Sequence, residues 1–156
     1  MKLYIIRHGD AVSKSTDLLR PLSEVGKVQS KKIGAFLNRL KIAPAIMMHS
    51  TKTRAEQTAN IISEKIGYYG PVNVREELSP DYPIDIIAKE ILESNEDTVI
   101  IGHLPFLSYL TSYLLSKKDG TSFCDFNEAT VICLEKNNSN KKFYLVYSVS
   151  PDLLED

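Results

Sequence analysis

Short apolar runs alternate along this chain with longer stretches in which apolar residues recur at helical spacing, and that alternation restricts the fold more than any other feature. Leu3-Tyr4-Ile5-Ile6, Ala45-Ile46-Met47-Met48 and Thr98-Val99-Ile100-Ile101 are short and continuous. Runs of this kind suit strands covered on both faces. Between the first two, Leu22, Val25, Val28, Ile33, Phe36, Leu37 and Leu40 recur near a 3.6-residue period, with Pro21 and Ser23 as starters, and predict a helix within residues 21–40. Ala55, Ala59, Ile62 and Ile66 share one face of a second helix closed by Gly67 and Gly70. Ile84, Ile87, Ile91 and Leu92 mark a third, after a weaker strand at residues 72–74. Phe106, Leu110, Tyr113 and Leu114 give a fourth, with Pro105 tolerated in its first turn. Residues 131–134 and 143–149 read as strands joined by the polar turn Lys136-Asn137-Asn138-Ser139-Asn140. The pattern predicts a layered α/β fold whose central sheet is mostly parallel, with one antiparallel strand near the end. No repeat, linker or low-complexity segment divides the 156 residues, so a single domain is expected, one that buries roughly 70% of the surface its unfolded chain exposes.

Charge and composition remove several function classes. Lys and Arg total 19 against 20 Asp and Glu, leaving no global field to attract nucleic acid or an anionic membrane. An aromatic stacking platform for bases is also missing. The longest apolar stretch, residues 104–115, is broken by Pro105, Ser108, Thr111 and Ser112 and is too short to span a bilayer. Nothing at the start resembles a signal peptide, so a cytoplasmic location is expected. Cys124 and Cys133 lack C-x-x-C spacing and read as free thiols. The three histidines are scattered, with no H-x-x-x-H and no carboxylate cluster, so metal-free chemistry and no cofactor are expected.

In open α/β sheets ligands bind beyond the carboxyl ends of the strands. Here the first strand is followed by Arg7-His8-Gly9-Asp10, the second by Ser50 with Arg54 four residues on, and the strand at residues 98–101 by Gly102-His103. Guanidinium forks match phosphate oxygens, and helix starts after Ser50 and His103 add backbone N–H groups. Such a pocket suits a dianion. A neutral imidazole facing it can attack phosphorus and form a phosphohistidine that water later hydrolyses. The arginines would then stabilise charge on the equatorial oxygens, and His103 would supply a further hydrogen bond. Each fragment alone has a plainer reading: Arg54 as a solvated helix residue, Gly102-His103 as a turn with a structural histidine. His49 has no nameable partner and is read as structural, and the Lys31-Lys32 and Lys117-Lys118 pairs as solvated faces.

Arg7-His8-Gly9-Asp10-Ala11, Arg20-Pro21-Leu22-Ser23, Ser50-x-x-x-Arg54-Ala55-Glu56-Gln57-Thr58, Leu78-x-Pro80 and Gly102-His103-Leu104-Pro105 together resemble the histidine phosphatase superfamily, also called phosphoglycerate mutase-like. Order and spacing agree from residue 1 to about 110. The short chain, with Arg-His-Gly-Asp-Ala, Arg-Pro-Leu-Ser and His-Leu-Pro, looks most like the SixA-type phosphohistidine phosphatases, which act on histidine-containing phosphotransfer domains. The resemblance implies a three-layer fold with helices on both faces of a mixed sheet. It makes His8 the nucleophile, with Arg7, Arg54 and His103 completing the phosphate pocket. Arg20 matches an arginine near the pocket, and Ser50 and Gly9 join it as substrate-binding candidates. Larger members insert a helical subdomain over the site, for which the intervals here leave no room. An open site suits a protein-borne phosphohistidine.

Mutases and many phosphomonoesterases of the superfamily carry a Glu as proton donor in an L-x-E segment, where this chain has Leu78-Ser79-Pro80. Asp10, Glu77 and Asp81 remain as candidate acids. The leading expectation is a metal-independent phosphatase for protein phosphohistidine. The alternatives are a phosphomonoesterase for a small phosphorylated metabolite and, lower, a module that binds a phosphorylated partner without turnover.

Overall fold

The structure, a computed structural model, describes residues 1–118, 120–122 and 125–155. Four parallel strands and four helices build its first three-quarters: β1 (Lys2–Arg7), α1 (Glu24–Arg39), β2 (Ile46–His49), α2 (Thr53–Ile66), β3 (Val72–Val74), α3 (Asp85–Glu93), β4 (Thr98–Gly102) and α4 (Phe106–Ser116). β5 (Val131–Lys136) and β6 (Phe143–Val149) come after them. They join one six-stranded sheet in the order β3-β2-β4-β1-β5-β6. β5 is the antiparallel strand, paired on either side with β1 and β6.

The apolar runs are continuous because β1 and β4 are covered twice. Alternate residues of a strand face opposite sides of the sheet. Leu3, Ile5, Ile100, Ile132 and Leu134 pack on one side against Ile87, Ile91, Phe106, Leu107 and Leu110 of α3 and α4. Tyr4, Ile6, Val99, Ile101 and Cys133 pack on the other against Ile33 and Leu37 of α1 and Ala55, Ala59 and Ile62 of α2. Three layers result. Cys133 is buried and free, and Cys124 lies outside the described residues. Among the described residues no helix is long and apolar enough to cross a membrane.

The start of α1 departs from the expected stripe. Ser23 caps it, its hydroxyl accepting from the Gly26 N–H at 3.1 Å. Yet Val25 and Val28 are 60% and 50% exposed, and the buried face runs through Gly26, Ser30, Ile33, Gly34 and Leu37. Here the helix lies backbone to backbone on the loop after β1. A Cβ at Gly26 would come 2.0 Å from the Asp10 carbonyl oxygen, so no apolar side chain fits on that face.

Register places the site. Arg7 pairs with Gly102 and His49 with Ile101, so β1, β2 and β4 end level with one another. The His8 N–H donates to the Gly102 carbonyl at 3.0 Å, and the Ser50 N–H to that of Ile101 at 3.2 Å. Residues just beyond the ends of three strands, distant in sequence, thereby share one rim.

Candidate active site

A cavity of about 220 Å³ opens at that rim, lined by Arg7, His8, Asp10, Ala11, Arg20, Arg54, Pro80, His103, Leu104 and Glu128. His8 is 8% exposed and His103 1%. Their ring centroids stand 4.9 Å apart.

His8 has a defined tautomer. Its Nδ1 lies 2.7 Å from the Gly9 carbonyl, an acceptor only, so Nδ1 carries the hydrogen. Nε2 is then the unprotonated nitrogen, and it accepts from Arg54 Nε–H at 3.3 Å. Burial lowers the His8 pKa to about 4; the Arg54 and Arg7 charges push the same way, against the Gly9 hydrogen bond and the Glu128 carboxylate. The ring is neutral at neutral pH and presents a lone pair among guanidiniums.

His103 is held by Ser50. The Ser50 hydroxyl accepts from the Lys52 N–H at 3.3 Å and meets His103 Nε2 at 2.5 Å. Where the hydroxyl donates to Nε2, the His103 hydrogen lies on Nδ1. That nitrogen is buried and has no hydrogen-bond partner among the described residues. Burial, reinforced by His8, Arg54, Lys52 and Arg7, lowers the His103 pKa to about 2.

The arginines converge from separate elements. Arg54 sits in the first turn of α2, and its pKa is lowered by burial and by the nearby Arg20 charge. Arg20 has a positive φ of 48° and anchors its Nε on the Val12 carbonyl at 3.1 Å. Arg7 donates from Nη1 to the Phe126 carbonyl at 2.9 Å and from Nη2 to Glu128 Oε1 at 2.7 Å. Its Nε is buried and has no hydrogen-bond partner among the described residues.

Ser50 and Gly9 do not line the cavity. Gly9 lies beneath α1, where a Cβ would come 2.6 Å from the Gly26 carbonyl oxygen, and its N–H donates to Thr58 at 3.0 Å. Of the candidate acids, Asp10 lines the cavity but accepts from the Ser23 hydroxyl. Asp81 lines a neighbouring depression that shares Pro80 with it. Glu77 is absent from both linings and pairs with Arg75, which also grips Glu90. His49 is 4% exposed, its Nδ1 bonded to the Ser50 carbonyl at 2.6 Å. Among the described residues no group of three or more His, Cys, Asp or Glu side chains could hold a metal ion.

Glu128 is the cavity residue that sequence reasoning missed. It precedes β5, whereas the strand-end rule points to residues beyond a strand's carboxyl end. An antiparallel strand brings its beginning to the rim where parallel strands end.

Comparison with known proteins gives a consistent picture. The pattern of the histidine phosphatase superfamily (branch 1) matches residues 3–79. Phosphohistidine phosphatase SixA of Escherichia coli is 27% identical over 143 residues, 88% of this chain and 89% of that protein. A solved structure of the protein histidine phosphatase SixA complexed with tungstate has a TM-score of 0.88 at 24% identity, covering 99% of this chain and 100% of that one. A phosphoserine phosphatase mutant of Entamoeba histolytica in complex with phosphoserine has a TM-score of 0.72 at 15% identity, covering 96% and 97%. At these identities the structural likenesses speak for the fold.

Proposed function

The chain belongs to the histidine phosphatase superfamily and is a phosphatase, and from that premise we propose that it removes phosphate from protein phosphohistidine through a covalent phosphohistidine on His8, without a metal ion. The observation that carries this reading is the His8 ring: neutral, with Nδ1–H on the Gly9 carbonyl and the Nε2 lone pair beside Arg54.

In the first step Nε2 attacks phosphorus as the bond to the substrate's nitrogen breaks, and that electron pair returns to the departing imidazole. Arg7, Arg54 and the Nδ1–H of His103 take the equatorial oxygens, with Arg20 at the mouth. Water then attacks the phosphorus, the P–Nε2 pair returns to His8, the water's proton passes to solvent and inorganic phosphate leaves. Ser50 serves by fixing the His103 tautomer, and Gly9 by letting α1 close on the loop.

The SixA resemblance supports a phosphohistidine substrate, as does leaving-group chemistry. A phosphohistidine protonated on its other ring nitrogen departs as neutral imidazole, whereas an alcohol phosphate needs a proton at the breaking bond. A single domain without a large helical cap would leave the rim open to a protein surface. The second reading is a small phosphorylated metabolite, with Asp10 as donor, since that carboxylate does line the cavity.

The test is to incubate the protein, in chelator, with a phosphohistidine-bearing phosphotransfer domain and with an aryl phosphate, beside His8→Ala. Loss of phosphate from the domain, abolished in the variant and indifferent to chelator, is the expected result. Turnover of only the aryl or metabolite phosphate would replace the substrate assignment. Cleavage of neither, with His8 never labelled, would leave a binding module.

A further inference from the structure

The segment before β5 brings to the cavity a carboxylate that no motif announces. The Glu128–Arg7 ion pair is 23% exposed on the Arg7 side and 35% on the Glu128 side, so it forms part of the cavity wall. The Phe126 carbonyl, two residues earlier, holds the adjacent Nη1. The same segment is stitched to the end of β1: the Ala129 N–H donates to the His8 carbonyl at 3.0 Å and the Arg7 N–H to that of Thr130 at 3.2 Å. It cannot slide without moving the strand end that carries His8. Ala129 is wholly buried and adopts φ 56°, which turns the chain sharply between Glu128 and β5.

This pairing has two consequences of opposite sign. Two of the five guanidinium donors are spent on residues 126 and 128, which fixes the plane of the fork, while Nε–H is buried with no partner among the described residues. A fork oriented in advance loses little freedom on meeting an oxyanion. The carboxylate that does the orienting is also a negative charge on the wall of an anion pocket, where it repels a phosphate dianion. The cavity's other carboxylate, Asp10, is turned to the Ser23 hydroxyl, so Glu128 is the one bound to a pocket arginine. A hydrolase gains nothing by holding free phosphate as firmly as the transition state.

We propose that Glu128 is a positioning residue that aims the Arg7 guanidinium and, through its charge, keeps the pocket's hold on inorganic phosphate weak enough for release, a role that rests on the phosphatase reading above. Glu128→Gln keeps an acceptor for Arg7 and removes the charge; Glu128→Asp keeps the charge and shortens the reach.

Inorganic phosphate is titrated into the intact protein and both variants by calorimetry, a readout that needs no turnover. Phosphate inhibition of phosphohistidine hydrolysis is then measured, with kcat and KM reported separately. Glu128→Gln is expected to bind phosphate about tenfold tighter, the effect of one pKa unit, and Glu128→Asp no tighter than the parent. Should Glu128→Gln fail to fold, Glu128→Ala gives the charge-free comparison. Phosphate affinity unchanged or weakened on loss of the charge, or tightened equally by Asp, overturns the role of Glu128 alone. No phosphate binding by the parent or any variant overturns the pocket reading and this role with it.

Discussion

Replacing Gly26 by Ala probes the contact between α1 and the His8 loop. A Cβ there would lie 2.0 Å from the Asp10 carbonyl oxygen, 2.8 Å from its nitrogen and 2.9 Å from its carbonyl carbon. An ordinary carbon–oxygen contact needs more than about 3 Å, so helix and loop must separate by about 1 Å. Neither side is free to yield. The Asp10 carbonyl accepts from the Ser23 N–H at 3.0 Å, and the Asp10 N–H donates to Gln29 at 2.8 Å. Overpacking of this kind costs about 1–3 kcal/mol, with more expected here because both partners are backbone. The gain of about 1 kcal/mol for Ala over Gly inside a helix offsets part of it. A net loss of about 2 kcal/mol lowers the melting temperature by roughly 4–8 °C in a domain of this size. The activity loss is larger, since a shift of about 1 Å in the loop carrying His8 can cost 10²-fold. Gly34→Ala is the comparator: it lies in the same helix and gains the same propensity, but its Cβ would crowd α2, at 2.7 Å from Lys65 Cβ and 3.5 Å from the Ile62 Cα, and not the His8 loop. Urea melts and phosphatase kinetics on the pair decide the matter. Gly34→Ala should keep full kcat and Gly26→Ala should not; equal kcat in both would refute the reasoning.

The histidines yield two further outcomes. His8 and His103 are held neutral in the folded chain, with pKa values of about 4 and about 2 against 6.5 for an unperturbed histidine, so the unfolded state binds more protons. Stability should therefore fall as pH drops from about 6.5 towards 5, by up to about 1.4 kcal/mol per pH unit for each histidine. Urea melts on the parent and His8→Gln check it, the variant showing the shallower slope. Ser50→Ala, which frees His103 Nε2, should lower kcat about tenfold and stability by about 1 kcal/mol, while Ser50→Thr restores kcat; a kcat unchanged in the alanine variant would remove Ser50 from the site.

Local patterns in the chain were enough to place the elements and most of the rim. Strand and helix periods are local properties, and the faces they define produced the two cores. Arg7, His8 and His103 were legible because parallel strands must end on one side of the sheet, and Arg54 because α2 begins just beyond β2. Tertiary structure alone decided what depends on contacts between distant segments. The Val25 and Val28 positions fit a helical stripe, yet the burial of Gly26 and Ser30 instead results from how closely α1 meets the Asp10 backbone. Ser50 reads as a pocket residue until its hydroxyl is seen on His103. Glu128 reaches Arg7 across 121 residues of sequence. No local pattern encodes that pairing, because the antiparallel course of β5 alone carries the beginning of that strand to the rim of the cavity.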